Sequence, residues 1–284
     1  MFFGLNKNNN RVYIENAIND RKQEYICPIC RQSLIIKNGK INTPHFAHKS
    51  LEECDTFTQD MSKWHKDWQD VFPQKNQEVI LRLDITDEEY LRESNWYNFS
   101  KLTYQEYMSQ YDDFLLDNKE RKLLHIEHRA DVLACGYVIE FQHSPIISRE
   151  FNERNWFYNR CGYKVIWIFD FIDKYDVEQI SYFEEWSNGK DNGAKYKWNN
   201  AVKTFIDFIP QKHKPHYIDN KWWNGDVILF FQLYHENDEE DNCIIERVLW
   251  AIEDDEQAKF KRFITSYNPG TKQEFKEWVI KRRL

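Results

Sequence analysis

Apolar side chains recur along residues 59–72 with a helical period: Trp64, Trp68, Val71 and Phe72 fall at i, i+4, i+7 and i+8, and Pro73 ends the run. A strand pattern follows at Glu78–Leu83, and three more at Leu123–Val132, Tyr137–His143 and Lys164–Phe169. Between the last two, Ser148–Arg160 reads as a helix with Ser148 as its N-cap. The order over 59–170 is helix, strand, strand, strand, helix, strand, which predicts an α/β layer with helices covering a mixed sheet. Residues 85–121 are polar and Tyr-rich and read as an insertion between strands.

Both ends carry other patterns. Strand-like runs Arg11–Ile14 and Leu34–Lys37 surround a Cys/His cluster, and Asn38-Gly39 signals a hairpin turn. In the last third, Ala201–Phe208 reads as a helix. Asp226–Gln232 and Cys243–Ile252 read as antiparallel strands joined by an acidic loop at 236–242, and residues 256–283 as helical segments. The expected organisation is a module at 1–54, a core domain at 55–175 and an α+β extension at 176–284.

Composition narrows the class. In a chain of 284 residues, the 11 Trp, 16 Tyr and 20 Phe predict a core of large rings, and 8 Gly with 7 Pro argue against a linker-rich protein. No apolar run reaches the roughly 18 residues of a membrane span. Residues 1–7 turn polar too soon for a secretory signal, so a cytoplasmic protein with no membrane partner is expected. A net charge of −8 argues against a charge-driven nucleic-acid coat. The acidic residues cluster, however, at Asp84–Glu93 and Glu236–Asp241, which leaves room for a local basic channel.

The six cysteines do not form a disulfide framework in such a chain. Cys27 and Cys30, with His45 and His48 fourteen residues on, make a C-x2-C…H-x2-H array. Short pair spacings let one turn donate two ligands to a tetrahedral Zn²⁺, and a hairpin through Asn38-Gly39 returns the histidines to the cysteines. Cys54 is an alternative ligand in place of either histidine. Four protein ligands would make this zinc structural rather than catalytic.

A second group consists of carboxylates. Asp131 ends one predicted strand, Glu140 and Gln142 lie on one face of the next, and Cys135-Gly136 marks the turn between them. A tight hairpin would place both carboxylates at one end of the sheet, and two carboxylates converging at a sheet edge suit Mg²⁺ or Mn²⁺. The arrangement resembles the Asp…Glu-x-Lys core of PD-(D/E)xK nucleases, with uncharged Gln142 at the lysine position.

The wider wording resembles the competence CoiA-like family. The matching segments are Cys27-Pro28-Ile29-Cys30, Pro44–His48, Ser62–His65, Arg129–Val132 and Ile139–Ser144, then Ile147-Ser148, Arg154, Tyr158 and Gly162–Ile168. The resemblance implies a restriction-endonuclease-like core, a DNA substrate, and a role in processing foreign or recombining DNA with a recombination or defence protein as partner. It also implies catalytic positions at Asp131, Glu140 and Gln142, with His65 nearby on the helix, and a further metal contact from Glu78. Arg154 and Tyr158 share a helix face. There they would bind substrate phosphate, or else pack and pair with Glu150 or Glu153. Residues 176–284 offer no convergent catalytic set. The competing expectation is a non-catalytic DNA-binding or partner-binding module that keeps the fold.

Overall fold

A computed structural model describes residues 1–20, 22–39, 43–49, 54, 62–91, 93, 122–187, 192–199, 216–218, 221–223, 227–233, 245–249, 261–266 and 270–281. The N-terminal module is an antiparallel sheet of five short strands: β1 (Phe3–Leu5), β2 (Arg11–Tyr13), β3 (Tyr25–Ile26), β4 (Ser33–Lys37) and β5 (His45–His48), in the order β2-β1-β3-β4-β5. A one-turn helix, α1 (Ile14–Ala17), follows β2. Phe2, Ile14, Tyr25, Leu34 and Phe46 form the module's own small core.

Helix α2 (Lys63–Gln69) begins at Ser62, whose Oγ accepts the His65 N–H at 3.1 Å. A 3₁₀ turn, Gln74–Asn76, then leads into β6 (Gln77–Thr86). Next come β7 (Leu123–Ala134), β8 (Tyr137–Gln142), α3 (Ser148–Arg160), β9 (Lys164–Asp170), α4 (Ile172–Asp176), β10 (Ile180–Ser187) and β11 (Asn192–Asn199). A separate two-stranded ribbon, β12 (His216–Ile218) with β13 (Lys221–Trp223), precedes β14 (Val227–Gln232), β15 (Ile245–Leu249), β16 (Lys261–Ser266) and α5 (Lys272–Lys281).

One nine-stranded sheet dominates, in the order β10-β11-β16-β15-β14-β9-β8-β7-β6. Strands β8, β9 and β14 run parallel and the remaining pairs antiparallel. The three parallel strands are apolar on both sides because helices cover both faces. Val165, Trp167 and Phe169 of β9 pack beneath α3 with Phe151 and Phe157, whereas Ile166 and Ile168 face α2 and α5. Trp68 is fully buried, stacked on Phe141 at 5.5 Å and meeting Phe275 of α5 edge-on at 5.7 Å. Its indole N–H and that of Trp64 both donate to Gln232 Oε1, each at 2.8 Å. A buried ring of this size contributes about 3–5 kcal/mol, judged by the cost of truncating Trp to Ala.

The predicted order from α2 to β9 is present. The boundary at 175 is not a break: β14, β15 and β16 extend the same sheet, and α5 lies beside α2 on one face. Among the described residues of 256–283, Lys261–Ser266 is a strand and Lys272–Lys281 a helix. Helix α3 starts at Ser148 as expected, but Ile147 occupies the cap position. The expected helix Ala201–Phe208, the acidic loop 236–242 and residues 94–121 of the insertion lie outside the described residues. Among the described residues, no helix is long and apolar enough to cross a membrane.

Strand β6 ends the large sheet, and the N-terminal module docks there. Glu78 of β6 accepts the backbone N–H of Phe2 (2.9 and 2.8 Å, one to each oxygen) and of Phe3 (3.1 Å), while Arg11 Nη2 donates to the Gln77 carbonyl at 2.6 Å.

Candidate functional site

The β7–β8 hairpin turns at Cys135-Gly136, both with positive φ (51° and 83°), the backbone that a two-residue turn needs to match strand twist. From the turn outward, Ala134 faces Tyr137, Leu133 faces Val138 and Val132 faces Ile139. The same register next sets Asp131 opposite Glu140, and there side chains take over from the backbone ladder. Phe141 N–H donates to Asp131 Oδ2 at 2.9 Å, and Asp131 N–H donates to Glu140 Oε1 at 3.3 Å. Both carboxylates thus occupy one gap between two strands, opposed as the hairpin predicts but inside the sheet rather than at its edge, because β6 and β9 flank the pair.

Each carboxylate has a partner from a different helix. His65 of α2 is buried, and its Nε2 lies 3.0 Å from Asp131 Oδ1. Arg154 and Tyr158 of α3 reach Glu140: Arg154 Nη1 donates to Oε2 at 2.8 Å and Tyr158 OH to Oε1 at 2.9 Å. Arg154 Nη2 also donates to Glu150 at 2.5 Å. Arg154 and Tyr158 are buried, so the structure turns them onto Glu140 rather than toward a phosphate at the surface. Gln142 is buried two residues beyond Glu140, and its Nε2 donates to the Ser144 carbonyl at 2.6 Å. Glu78, read as a possible further ligand, has φ 46° and gives its oxygens to the N-terminal strand instead.

The two acids are driven apart electrostatically. Burial, with the Asp131 charge beside it, pushes Glu140 up to about 8, against the pull of Arg154 and Tyr158. Burial would also raise Asp131, but His65, the Phe141 N–H and Arg154 together hold it below the ordinary carboxylate value. Asp131 keeps 14% of its side chain exposed, whereas Glu140 keeps 2%. Asp131 is therefore the oxygen donor that solvent can reach. Two hard carboxylates in one gap suit a divalent cation that prefers oxygen.

The second cluster lies in the N-terminal module. Cys27, Cys30, His48 and Cys54 bring one ligand atom each within 4.8 Å of all the others. Cys27 Sγ is 3.6 Å from Cys54 Sγ, and Cys30 Sγ is 3.3 Å from His48 Nε2. A zinc tetrahedron with bonds of about 2.0–2.3 Å has edges of about 3.3–3.8 Å, so the donor set fits that ion. Burial pushes the Cys27 and Cys54 thiols up, which leaves neutral thiols crowded together until a cation favours the thiolate. His45 stands apart, its Nδ1 2.7 Å from the Thr43 carbonyl. The reason is the strand: residues three apart on β5 point to opposite faces, so His45 and His48 cannot converge. Cys54 supplies the fourth donor.

Comparison with known proteins falls on the same two regions. Residues 7–57 match the family model described as competence protein CoiA, N-terminal domain, and residues 93–219 the one described as competence protein CoiA, nuclease-like domain. The Cys/His cluster lies wholly inside the first match. Asp131, Glu140, Arg154 and Tyr158 lie inside the second, and His65 falls between the two. No curated protein and no solved structure matches the chain.

Proposed function

We propose that this chain, which belongs to the competence protein CoiA-like family, is a cytoplasmic metal-dependent deoxyribonuclease with a PD-(D/E)xK-type core and a structural zinc. The observation that carries the reading is the placing of Asp131 against Glu140 in one gap of the β7–β8 pair, with His65 on the first and Arg154 and Tyr158 on the second. Asp131 and Glu140 would hold Mg²⁺ or Mn²⁺. When bound, such an ion polarises a phosphodiester and favours the charge that develops as it is cut.

The remaining roles belong to the chain. Arg154 and Tyr158 fix the Glu140 carboxylate in one orientation and offset its burial. His65 holds Asp131 ionised at the more exposed side of the gap. Gln142 shares the strand face of Glu140, where an amide orients a neighbour without adding charge. The zinc would tie the ends of residues 27–54 together, fixing the module against β6. The substrate in this reading is foreign or recombining DNA, handled with a recombination or defence protein.

The test is cleavage of single-stranded, duplex and branched DNA with Mg²⁺ or Mn²⁺. The wild type should cut and stop when the added ion is withdrawn, and Glu140→Gln should bind DNA but lose turnover, since the ion acts mainly on the transition state. Wild-type turnover in Glu140→Gln would remove the assignment. A second reading, a DNA-binding or partner-binding module without catalysis, is favoured by one observation: both carboxylates already have a basic partner, His65 and Arg154. A wild type that cuts none of these substrates would give that reading the lead.

A further inference from the structure

The N-terminal module does not close against β6 along its whole length. A groove of about 590 Å³ remains between them, within the roughly 300–1,000 Å³ typical of ligand sites. Arg11, Arg31, Lys75 and Arg82 line it against Glu78 and Glu127. Both acids are already engaged, Glu78 by the Phe2 and Phe3 amides with Arg129 at 3.5 Å, and Glu127 by Arg82. Arg31 and Lys75 are exposed and have no ion-pair partner among the described residues. Arg11 Nε is buried and lacks a hydrogen-bond partner among them, while its guanidinium lies 3.6 Å from the centre of the Phe3 ring. In a chain of net charge −8, this is a concentration of cations with too few anions of its own.

The backbone gives a second, independent indication. Five non-glycine residues among those described have positive φ, and three of them line this groove: Asn9 (58°), Arg31 (65°) and Glu78 (46°). Such conformations cost of order 1–3 kcal/mol each and gather where geometry serves binding. Arg31 owes its position to the turn through Cys27 and Cys30, with its N–H donating to the Cys27 carbonyl at 3.1 Å. Glu78 stands opposite Asp131 in the β6–β7 register, between the pairs Gln77–Val132 and Val79–Ala130, so the groove starts one strand away from the carboxylate gap.

We propose that this groove binds the phosphate backbone of the nucleic acid and leads it toward Asp131 and Glu140. The inference rests on the nuclease reading for the identity of the polyanion. Guanidinium groups suit phosphate oxygens. Phe3 is buried beneath Arg11 and offers no ring for a base to stack on, so the contact is with phosphates and independent of sequence. An acidic peptide added as a strand along β6 fits less well, because Arg11 already takes the Gln77 carbonyl at the start of that edge.

The test uses full-length protein with zinc retained and no added Mg²⁺ or Mn²⁺, and measures anisotropy of labelled duplex and single-stranded DNA over a salt series. Arg31→Gly keeps the left-handed backbone available, and Lys75→Ala removes an exposed side chain, so the double variant should fold and hold zinc like the wild type. It should bind DNA about tenfold more weakly whatever the sequence, with the slope of log affinity against log salt shallower by about 2 on duplex. Unchanged affinity and slope would overturn the proposal. So would an acidic peptide that binds more tightly than DNA and loses that binding in the double variant, which would give the groove to a protein partner. The two readings fail separately. If the wild type cuts no DNA but the double variant loses binding, the groove stands without the nuclease. If the wild type cuts and the double variant binds normally, only the groove falls.

Discussion

The Cys/His cluster and the carboxylate gap are both groups of buried ionisable side chains, but their charges are balanced differently. In the first, three thiols and an imidazole bring their donor atoms together, and no ion pair to Cys27, Cys30 or Cys54 is present among the described residues. In the second, every carboxylate oxygen already meets a donor in the chain, and Asp131 and Glu140 each face a basic side chain, His65 and Arg154. The first group has no reason to converge without a metal. The second is organised before any ion arrives, so an ion there must compete with bonds already made. A structural metal suits the first case, because its binding energy is folding energy. An exchangeable catalytic ion suits the second.

The comparison breaks most sharply at the zinc cluster. Protein purified without added metal should contain close to one zinc per chain by elemental analysis. Cys27→Ser with Cys30→Ser should release it and unfold residues 1–54, since structural zinc sites in small modules are worth about 10–16 kcal/mol of apparent folding free energy. His48→Ala should behave in the same way, whereas His45→Ala should keep its zinc. Zinc lost from His45→Ala and kept in His48→Ala would reverse the ligand set. A soluble, equally stable double-serine protein would show that the cluster holds nothing structural.

The next largest effect should come from the partner of Glu140. Arg154→Met keeps an unbranched apolar stem and removes the charge, leaving Glu140 without its cationic partner. At pH 9, above the value of about 8 to which Glu140 is raised, breaking a buried pair from one side costs about 3–5 kcal/mol, so the unfolding midpoint in urea at that pH should fall by a large fraction of its wild-type value. The double change Arg154→Met with Glu140→Gln should recover much of that loss, because the stranded charge is gone. If Arg154→Met unfolds like the wild type, Glu140 is not held as a charged pair. Arg154 would then be free for the phosphate role its helix position first suggested.

How far the sequence reveals these sites depends on how local their causes are. The helix at Trp64 and Trp68, the turn at Cys135-Gly136 and the opposition of Asp131 to Glu140 follow from periods and spacings within a few residues. The histidine pair was legible in principle, because a strand sends His45 and His48 to opposite faces, but only once the segment is known to be extended. Cys54 is selected by a chain path that no spacing states. The parallel placing of β14 beside β9, more than fifty residues away in sequence, leaves no local trace. Long apolar runs such as Val227–Phe231 announce burial but not the neighbour. Arg154 and Tyr158 share a helix face, as read, yet that period cannot say whether the face looks outward to a phosphate or inward to Glu140.

The smallest effect is a matter of pH, and it sharpens the contrast between the two groups. Burial and the Asp131 charge raise Glu140 from its ordinary 4.5 to about 8, so across that window the folded protein holds a proton that the unfolded chain has already lost. The folded state binds more protons there, and the sign is fixed: without added ion, this group's contribution to stability falls as pH rises from about 4.5 to 8, then levels off. Asp131 adds nothing to that slope, because its value lies below the window. Mn²⁺ competes with the same proton, so its affinity should rise about tenfold from pH 6 to pH 7 and flatten near 8. Thermal melts with and without Mn²⁺ at these pH values would read both trends, with zinc retained in every sample. Glu140→Gln cannot exchange the proton and should lose both. A wild type whose Mn²⁺ affinity is level from pH 6 to 8 would mean that Glu140 is ionised throughout, with Arg154 outweighing burial. The gap would then be a fixed ion-pair network rather than a carboxylate poised to exchange a proton for a metal.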